Sequence, residues 1–506
     1  MMLLIRGMSP HSITFMTYEV LKVYRMNQTM TRLEKTSDSE MSSLTSILFG
    51  HTSVTPVSDA DLKALESKIK WTDDLLNESQ KTAVLFALAS PEIALIHGPP
   101  GTGKTHTLIT IILQLLKQDK RILVCGPSNV SVDNICDRLA PYGVNMVRLG
   151  HPARLLPSVL NHSLDVLTHT SDAGGIVKDI RRDMDEIQAS LRKKKTYSER
   201  RVAYGELKTL RNEFREREKK CISDLVRGSK VVLATLHGAG GWQLNNDRFD
   251  IVIVDEASQA LEAQTWIPLL WGAAKKLILA GDHLQLPPTI KSINTKTTDG
   301  EKTKKAEEKG EGFTLERTLF DRLLDLHGDK IKKMLTTQYR MHEKIMAFPS
   351  SELYKSKLVA AASVKDHLLT DLPYQVEDTD ETREPLVFYD TQGDDFPETA
   401  EEEDTSKKKL SLGDSKSNAG EAAIAKKHVA ALVDAGVLPS DIAVITPYNA
   451  QLALLSRMLK DEFAGIELGS VDGFQGREKE AVIVSLVRSG GEVGFLAEKR
   501  RLNGEL

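Results

Sequence analysis

Eight consecutive residues, Gly98, Pro99, Pro100, Gly101, Thr102, Gly103, Lys104 and Thr105, have the types and spacing of a phosphate-binding loop, G-x-x-x-x-G-K-[ST]. The glycines let backbone N–H groups close around phosphate oxygens, and a helix N-terminus behind them adds positive potential. Lys104 is placed to reach the terminal phosphates of a nucleotide, and the Thr105 hydroxyl to hold Mg²⁺. Such a loop needs an acid at the end of another strand. Ile251-Val252-Ile253-Val254, followed by Asp255 and Glu256, supplies it. Four β-branched residues make a strand buried on both faces, and the acids emerge at its C-terminal end, where ligands bind in parallel sheets. Asp255 is the candidate for coordinating Mg²⁺ and Glu256 for polarising an attacking water. An apolar run ending in Asp-Glu is common alone and gains meaning only behind a phosphate loop. A third segment, Gly281-Asp282-His283-Leu284-Gln285, ends an apolar run in a glycine turn. It brings the Gln285 amide to the same edge, where it can bond a phosphate and the attacking water; an ordinary turn amide is the plainer reading.

These groups must be positioned by alternating strands and helices. From 91 to 150 the text reads strand 93–97, helix 105–116, strand 122–125 and helix 130–139, which predicts an α/β fold with a parallel sheet. Strands return at 231–234, 251–254 and 277–280. A second α/β block follows, with strands at 386–389, 442–446 and 481–486 and helices at 424–435 and 451–459, so two nucleotide-fold lobes are expected. Within the first of them, Ile180, Met184, Ile187 and Leu191, then Leu207, Leu210 and Phe214, recur at helical spacing amid dense charge. A helical insertion at about 160–228 fits this pattern equally as an inserted hairpin or as a solvated coiled-coil spacer. Residues 291–312 and 394–420 are almost without apolar groups and are expected to be disordered loops. The domain expectation is therefore 1–60 as an N-terminal accessory region, 61–312 as the first lobe and 313–506 as the second.

At 506 residues the chain is too long for one ordinary core. Its 67 basic and 71 acidic residues leave a net charge of −4, so any nucleic-acid surface must be a local groove rather than a global field. The three cysteines, Cys125, Cys136 and Cys221, show no metal-ligand pairing, and so few argue for a reducing compartment. The apolar start, Met1 to Ile5, is too short for a signal segment. No stretch approaches the ~20 apolar residues that cross a bilayer. A cytoplasmic or nuclear protein, with no membrane partner, is expected.

Five segments in order carry a family resemblance: residues 98–105, Asp255-Glu256-Ala257-Ser258, residues 281–288, Gln338-Tyr339-Arg340-Met341-His342, and Val471-Asp472-Gly473-Phe474-Gln475-Gly476-Arg477-Glu478. Together they resemble superfamily 1B helicases. The match is to the up-frameshift-like branch, and within it to the immunoglobulin-mu-binding-protein-2 and DNA polymerase alpha-associated helicase type. The resemblance implies two RecA-like P-loop lobes, ATP with Mg²⁺ between them, and single-stranded DNA or RNA as partner. It implies that Gln80 reads adenine, Tyr339 stacks on it, Arg340 senses the γ-phosphate and Glu478 faces the ribose. An aromatic face suits a purine, and a fixed guanidinium suits a phosphate. Pro127, Ser128 and Asn129, Thr235 with Gly238, and Thr446, Pro447 and Tyr448 match the family's single-strand contacts. Such contacts grip phosphate and sugar and are sequence-tolerant. His97, His237, His283 and His342 are read as packing or local hydrogen-bonding groups without a metal role. A monomer is expected, with ribosome or replication-complex association implied by the family alone.

The text departs from the family at both ends. The final motif, Arg500-Arg501-Leu502-Asn503, is followed by Gly504-Glu505-Leu506 and not by a helix bearing a Thr-Arg pair. Residues 1–60 are short for the family's stalk and barrel. The expectation is a chain truncated at both ends. Two readings follow: a helicase translocating 5′→3′, or an ATP- and strand-binding remnant lacking the final-motif arginine. A switch GTPase would want an Asn-Lys-x-Asp segment, and none occurs.

Overall fold

The computed structural model describes residues 18–191, 196–245, 247–290, 314–391, 396–400, 415–474, 477–489, 500 and 503. Residues 291–312, the greater part of 394–420, Gln475, Gly476, Arg501 and Leu502 lie outside these. The described residues form two compact units. The first comprises Met1–Gly98, Lys104–Asp282 and Pro287–Leu335; the second comprises Pro99–Gly103, His283–Leu286 and Thr336–Leu506.

The first unit is built on seven strands: β1 (Ile93–His97), β2 (Ile122–Gly126), β3 (Met146–Leu149), β4 (Val231–Thr235), β5 (Ile251–Val254), β6 (Lys276–Gly281) and β7 (Lys332–Met334). All pair in parallel, in the order β3-β4-β2-β5-β6-β1-β7. The strands are near-continuous apolar runs because both faces are covered. Successive side chains alternate between two cores. Leu95, Leu123, Val252, Val254 and Leu279 enter one; Ala94, Ile96, Val124, Ile251, Ile253 and Ile278 enter the other. The pairing of β7 with β1 places the chain up to Leu335 in the first unit, beyond the boundary at 313 expected from sequence.

Residues 18–60 also belong to this unit rather than forming a separate accessory region. Helix Tyr18–Lys35 packs Met26, Met30 and Leu33 on the first core, and Leu44, Ile47 and Leu48 are buried in it. Arg25 Nη1 donates to the His237 carbonyl at 2.6 Å, and Arg32 lies over the Trp271 ring at 5.0 Å.

Between β3 and β4 the expected insertion is a packed hairpin. Helices Asp172–Leu191 and Tyr197–Gly228 close on their own small core of Ile180, Met184 and Leu207, with Ile187, Leu191, Leu210 and Phe214 against it. Thr196 caps the second helix in a reciprocal capping box with Glu199.

The second unit has short ladders, β8 (Thr337–Gln338) with β9 (Val359–Ala360) and β10 (Thr399–Ala400) with β11 (Lys416–Ser417). Its main sheet is parallel: β12 (Ile442–Thr446) lies between β13 (Glu467–Ser470) and β14 (Ala481–Val484). Helices Ala419–Asp434 and Asn449–Leu459 cover it through Val429, Leu432, Leu455 and Leu459. The strand expected at 386–389 is not one. Leu386, Val387, Phe388 and Tyr389 are exposed, and the Tyr389 ring rests on His428 at 4.5 Å. A short apolar run carries no register information of its own.

Candidate active site

β6 lies between β1 and β5, so three C-terminal strand ends converge on one edge of the first sheet. β1 leads into the glycine loop. Within it, Gly101 has φ +69°, and an added Cβ would stand 2.6 Å from Cβ of Arg340, so conformation and space both demand glycine. At Gly98 an added Cβ would meet the Lys104 stem at 2.9 Å. Thr102 is buried and its hydroxyl donates to the Pro99 carbonyl at 2.7 Å, bracing the turn. Helix Lys104–Lys117 then starts, with Thr105 half-buried in its first turn.

β5 delivers the acids. Lys104 Nζ is hydrogen-bonded to Glu256 Oε1 and lies 3.9 Å from Asp255 Oδ1. Glu256 sits in the left-handed region, φ 52° and ψ 39°, and its N–H donates to Asp255 Oδ1 at 2.9 Å. A non-glycine residue held there stores strain of the order of 1–3 kcal/mol, a cost that clusters at functional sites. Gln259 Nε2 donates to the other Glu256 oxygen at 2.7 Å. Burial pushes the Asp255 carboxyl up to about 6, against the pull of the Lys104 charge and with the repulsion of Glu256. Burial opposes the Lys104 ammonium, but Glu256 and Asp255 outweigh it and hold that group above its ordinary range. The oxygens available to a cation, Thr105 Oγ1 and the Asp255 carboxylate, are hard donors of the kind Mg²⁺ takes, so the residues present fit that ion.

At the end of β6, Asp282 is buried. Its N–H donates to Ser258 Oγ at 3.1 Å, and its Oδ1 hydrogen-bonds His97 Nε2 at 2.9 Å. His97 is therefore a local hydrogen-bonding group. Motif spacing showed Asp282 and Ser258 but gave no sign that they brace the strand ends. Gln285 lies half-buried on the segment leaving β6, and Leu286 beside it packs with Ala443, Ile445, Val471 and Phe474 of the second unit.

Other sequence candidates lie on other elements. Gln80 is buried as N3 of the capping box of helix Glu78–Ala89: its side-chain oxygen accepts the Asn77 N–H at 3.1 Å. In the second unit Tyr339 is 42% exposed, with its N–H on the Gly101 carbonyl at 2.9 Å. Arg340 Nε donates to Glu478 Oε2 at 2.9 Å, so the residue expected to face the ribose is joined to the expected phosphate sensor.

The strand-contact candidates lie beyond C-terminal strand ends. β2 and β4 are neighbours, with Gly126 opposite Thr235, so Pro127, Ser128 and Asn129 emerge beside Thr235 and Gly238. Ser128 caps helix Asn129–Leu139 through the Ser131 N–H, and the Gly238 N–H donates to Thr235 Oγ1 at 3.1 Å. Thr446, Pro447 and Tyr448 follow β12. Tyr448 is 4% exposed, so its ring is closed to base stacking, and Thr446 is fully buried. Sequence reading missed Arg148. It is fully buried, donates to Asp133 Oδ1 at 2.7 Å and to Asn129 Oδ1 at 3.0 Å, and so fixes the Asn129 side chain from below. Cys125, Cys136 and Cys221 are free and buried, and burial pushes the Cys136 thiol up to about 12.

A parallel sheet whose strand ends present a glycine loop, a lysine and paired acids defines a P-loop nucleotide enzyme. Residues 75–293 match a family model described as "AAA domain", and residues 315–506 match a second model with the same description. The chain is 49% identical over 490 residues to "DNA polymerase alpha-associated DNA helicase A" of Schizosaccharomyces pombe, covering 96% of this chain and 69% of that protein. It is 43% identical to the protein of the same name from Saccharomyces cerevisiae, covering 96% of this chain and 71% of that one. To "DNA-binding protein SMUBP-2" of Mus musculus it is 46% identical over 96% of its own length, but it spans only 47% of that relative. The chain belongs to the family of AAA-domain helicases that holds these proteins. No helix among the described residues is long and apolar enough to cross a membrane.

Proposed function

We propose that this chain couples ATP hydrolysis to 5′→3′ movement along a single strand of DNA or RNA, and thereby separates duplexes. The observation that supports this most is the meeting of Lys104, Asp255 and Glu256 at one sheet edge behind the glycine loop. In this reading Lys104 exchanges its carboxylate partners for the β- and γ-phosphates of ATP. Thr105 and Asp255 hold Mg²⁺, which when bound neutralises the phosphate charge. Glu256, already fixed by Gln259, orients the attacking water, and Gln285 bonds water or phosphate. Arg340 stabilises charge on the transferred phosphoryl group, with Glu478 setting its guanidinium plane. Tyr339 is exposed enough to stack on adenine, and Gln80 reads its edge. The turns at 127–129, 235–238 and 446–448 grip backbone phosphates, and alternation of that grip through the ATP cycle advances the protein. The direction rests on the resemblance of the five motifs. A monomer in the cytoplasm or nucleus completes the reading.

ATP turnover with and without a single-stranded oligonucleotide tests it. Strong stimulation by the strand is the expected result, and turnover indifferent to it overturns the reading.

A further inference from the structure

The helix Tyr197–Gly228 carries three lengthwise stripes. Ala203, Leu207 and Cys221 are buried, with Leu210 and Phe214 beside them, and form the seam toward the rest of the unit. Glu199, Glu206 and Glu213 lie on one flank. The other flank holds Tyr197, Arg201, Tyr204, Lys208, Arg211 and Arg215, all exposed, the tyrosines at 83% and 61%. Their spacings of four, three, four, three and four residues keep them within roughly 40° of one line along the helix. Two aromatic rings, Tyr197 and Tyr204, thus stand in solvent on the same face as four cations. Elsewhere on the hairpin, Arg181, Arg182 and Arg217 lie in exposed ion pairs with Asp185, Asp179 and Glu213. Arg201, Lys208, Arg211 and Arg215 are in no ion pair among the described residues. In a chain of net charge −4 this is a local island of cations.

We propose that this stripe is a docking surface for the phosphate backbone of duplex nucleic acid, separate from the single-strand contacts beyond the sheet. The stripe rises about 27 Å along the helix, which matches roughly eight base steps at ~3.4 Å each. A row of cations this long spans enough of a duplex to meet both of its phosphate strands as they wind past. Single-strand recognition wants a groove with an aromatic group for each successive base, and only one end of this stripe is aromatic. Tyrosine hydroxyls at that end add donors to phosphate oxygens. The partner is a polyanionic duplex and not an acidic protein, because the six residues of the row offer charge and donors and include no aliphatic side chain. The inference deepens the proposed function by assigning the duplex ahead of the moving strand its own contact.

The test neutralises the row with Arg201→Gln, Lys208→Gln, Arg211→Gln and Arg215→Gln together in the full chain. Fluorescence anisotropy then follows a blunt 20-base-pair duplex, a single-stranded oligonucleotide and labelled polyglutamate as an acidic protein probe over a range of salt. Duplex affinity should fall at least about tenfold, and the slope of its logarithm against log salt should drop by about 3–4, since each phosphate contact contributes about 0.9. Single-strand affinity and strand-stimulated ATP turnover should stay within about twofold. Unchanged duplex affinity and slope, an equal loss on both nucleic acids, or a loss seen only with an acidic protein probe overturns the assignment. Because strand-stimulated turnover is read in the same variant, failure of the motor reading is distinguished from failure of the stripe. The same six-residue face with Lys178→Gln and Arg182→Gln substituted on the neighbouring helix serves as the comparison and should bind duplex normally.

Discussion

Lys104 Nζ stands 3.9 Å from Asp255 Oδ1 and is hydrogen-bonded to the carboxylate of Glu256, although the lysine and the acids are about 150 residues apart in sequence. The parallel order β5-β6-β1 makes this meeting possible, because it brings the ends of β1 and β5 to the same edge. One ammonium thus lies against two carboxylates in a largely buried place, and a triphosphate with its cation would compete for all three groups.

Lys104→Ala removes the only ammonium at this meeting point among the described residues. Asp255 and Glu256 then repel each other without compensation. ATP binding should fall by at least about tenfold, the order of a lost charge-assisted contact. Equilibrium titration with a fluorescent ATP analogue measures it, and unaltered affinity would remove Lys104 from the site.

Gly101→Ala places a Cβ 2.6 Å from Cβ of Arg340 on a backbone at φ +69°. The left-handed conformation alone costs about 1–2 kcal/mol for a residue with a Cβ, and the collision adds to it. The variant should melt at a lower temperature and lose strand-stimulated ATP turnover. Normal values for both would mean that the loop takes another shape in solution.

Arg148→Met should be among the most destabilising single changes in the first unit. It leaves the buried Asp133 carboxylate without its cation and releases Asn129. Breaking a buried pair in this way costs about 3–5 kcal/mol. Removing both charges, with Arg148→Met and Asp133→Leu together, should restore part of the loss. Denaturant unfolding of the three proteins checks the order.

The legibility of the sequence varied with how local each signal was. β1, β5 and β12 end within one residue of the apolar runs, since a strand covered on both faces is apolar almost throughout. The two helices of the insertion were legible from the period of Ile180, Met184 and Leu207, but that period left a packed hairpin and a solvated spacer equally open. Residues 386–389 misled because four apolar residues in a row say nothing about a partner strand. Residues 18–60 carry little local signal: the helix Tyr18–Lys35 and Leu44, Ile47 and Leu48 bury against distant segments that no local pattern marks. At the site, residue types singled out Lys104, Asp255 and Glu256, which the fold brings together. The bracing pairs His97–Asp282 and Arg148–Asn129 join residues 185 and 19 positions apart and could be found only in three dimensions.

Lys276 offers a pH test away from the site. It is largely buried at the start of β6, with Nζ donating to the Leu88 carbonyl at 3.1 Å. Burial lowers its ammonium to about 8, with Lys120 pushing the same way and Glu92 opposing. The unfolded chain, titrating near 10.5, binds more protons than the folded one between these values. Stability from this group therefore rises as pH climbs through 8 toward 10.5, and is reduced below 8. Wild type should gain about 1–2 kcal/mol relative to Lys276→Met between about pH 7.5 and 9.5, because a tenfold change in proton affinity is worth about 1.4 kcal/mol. Parallel stability curves for the two proteins would show that the lysine is already neutralised or solvated.

The most direct measurement is single-turnover ATP hydrolysis by Glu256→Gln with a saturating single-stranded oligonucleotide. The amide keeps the shape of the side chain and its contact to Lys104 while removing the base. Nucleotide affinity should stay within about threefold of wild type, and the rate should fall by about 10²–10⁴. Hydrolysis at the wild-type rate would contradict the assignment of this lysine–carboxylate meeting point as the place where ATP is cleaved.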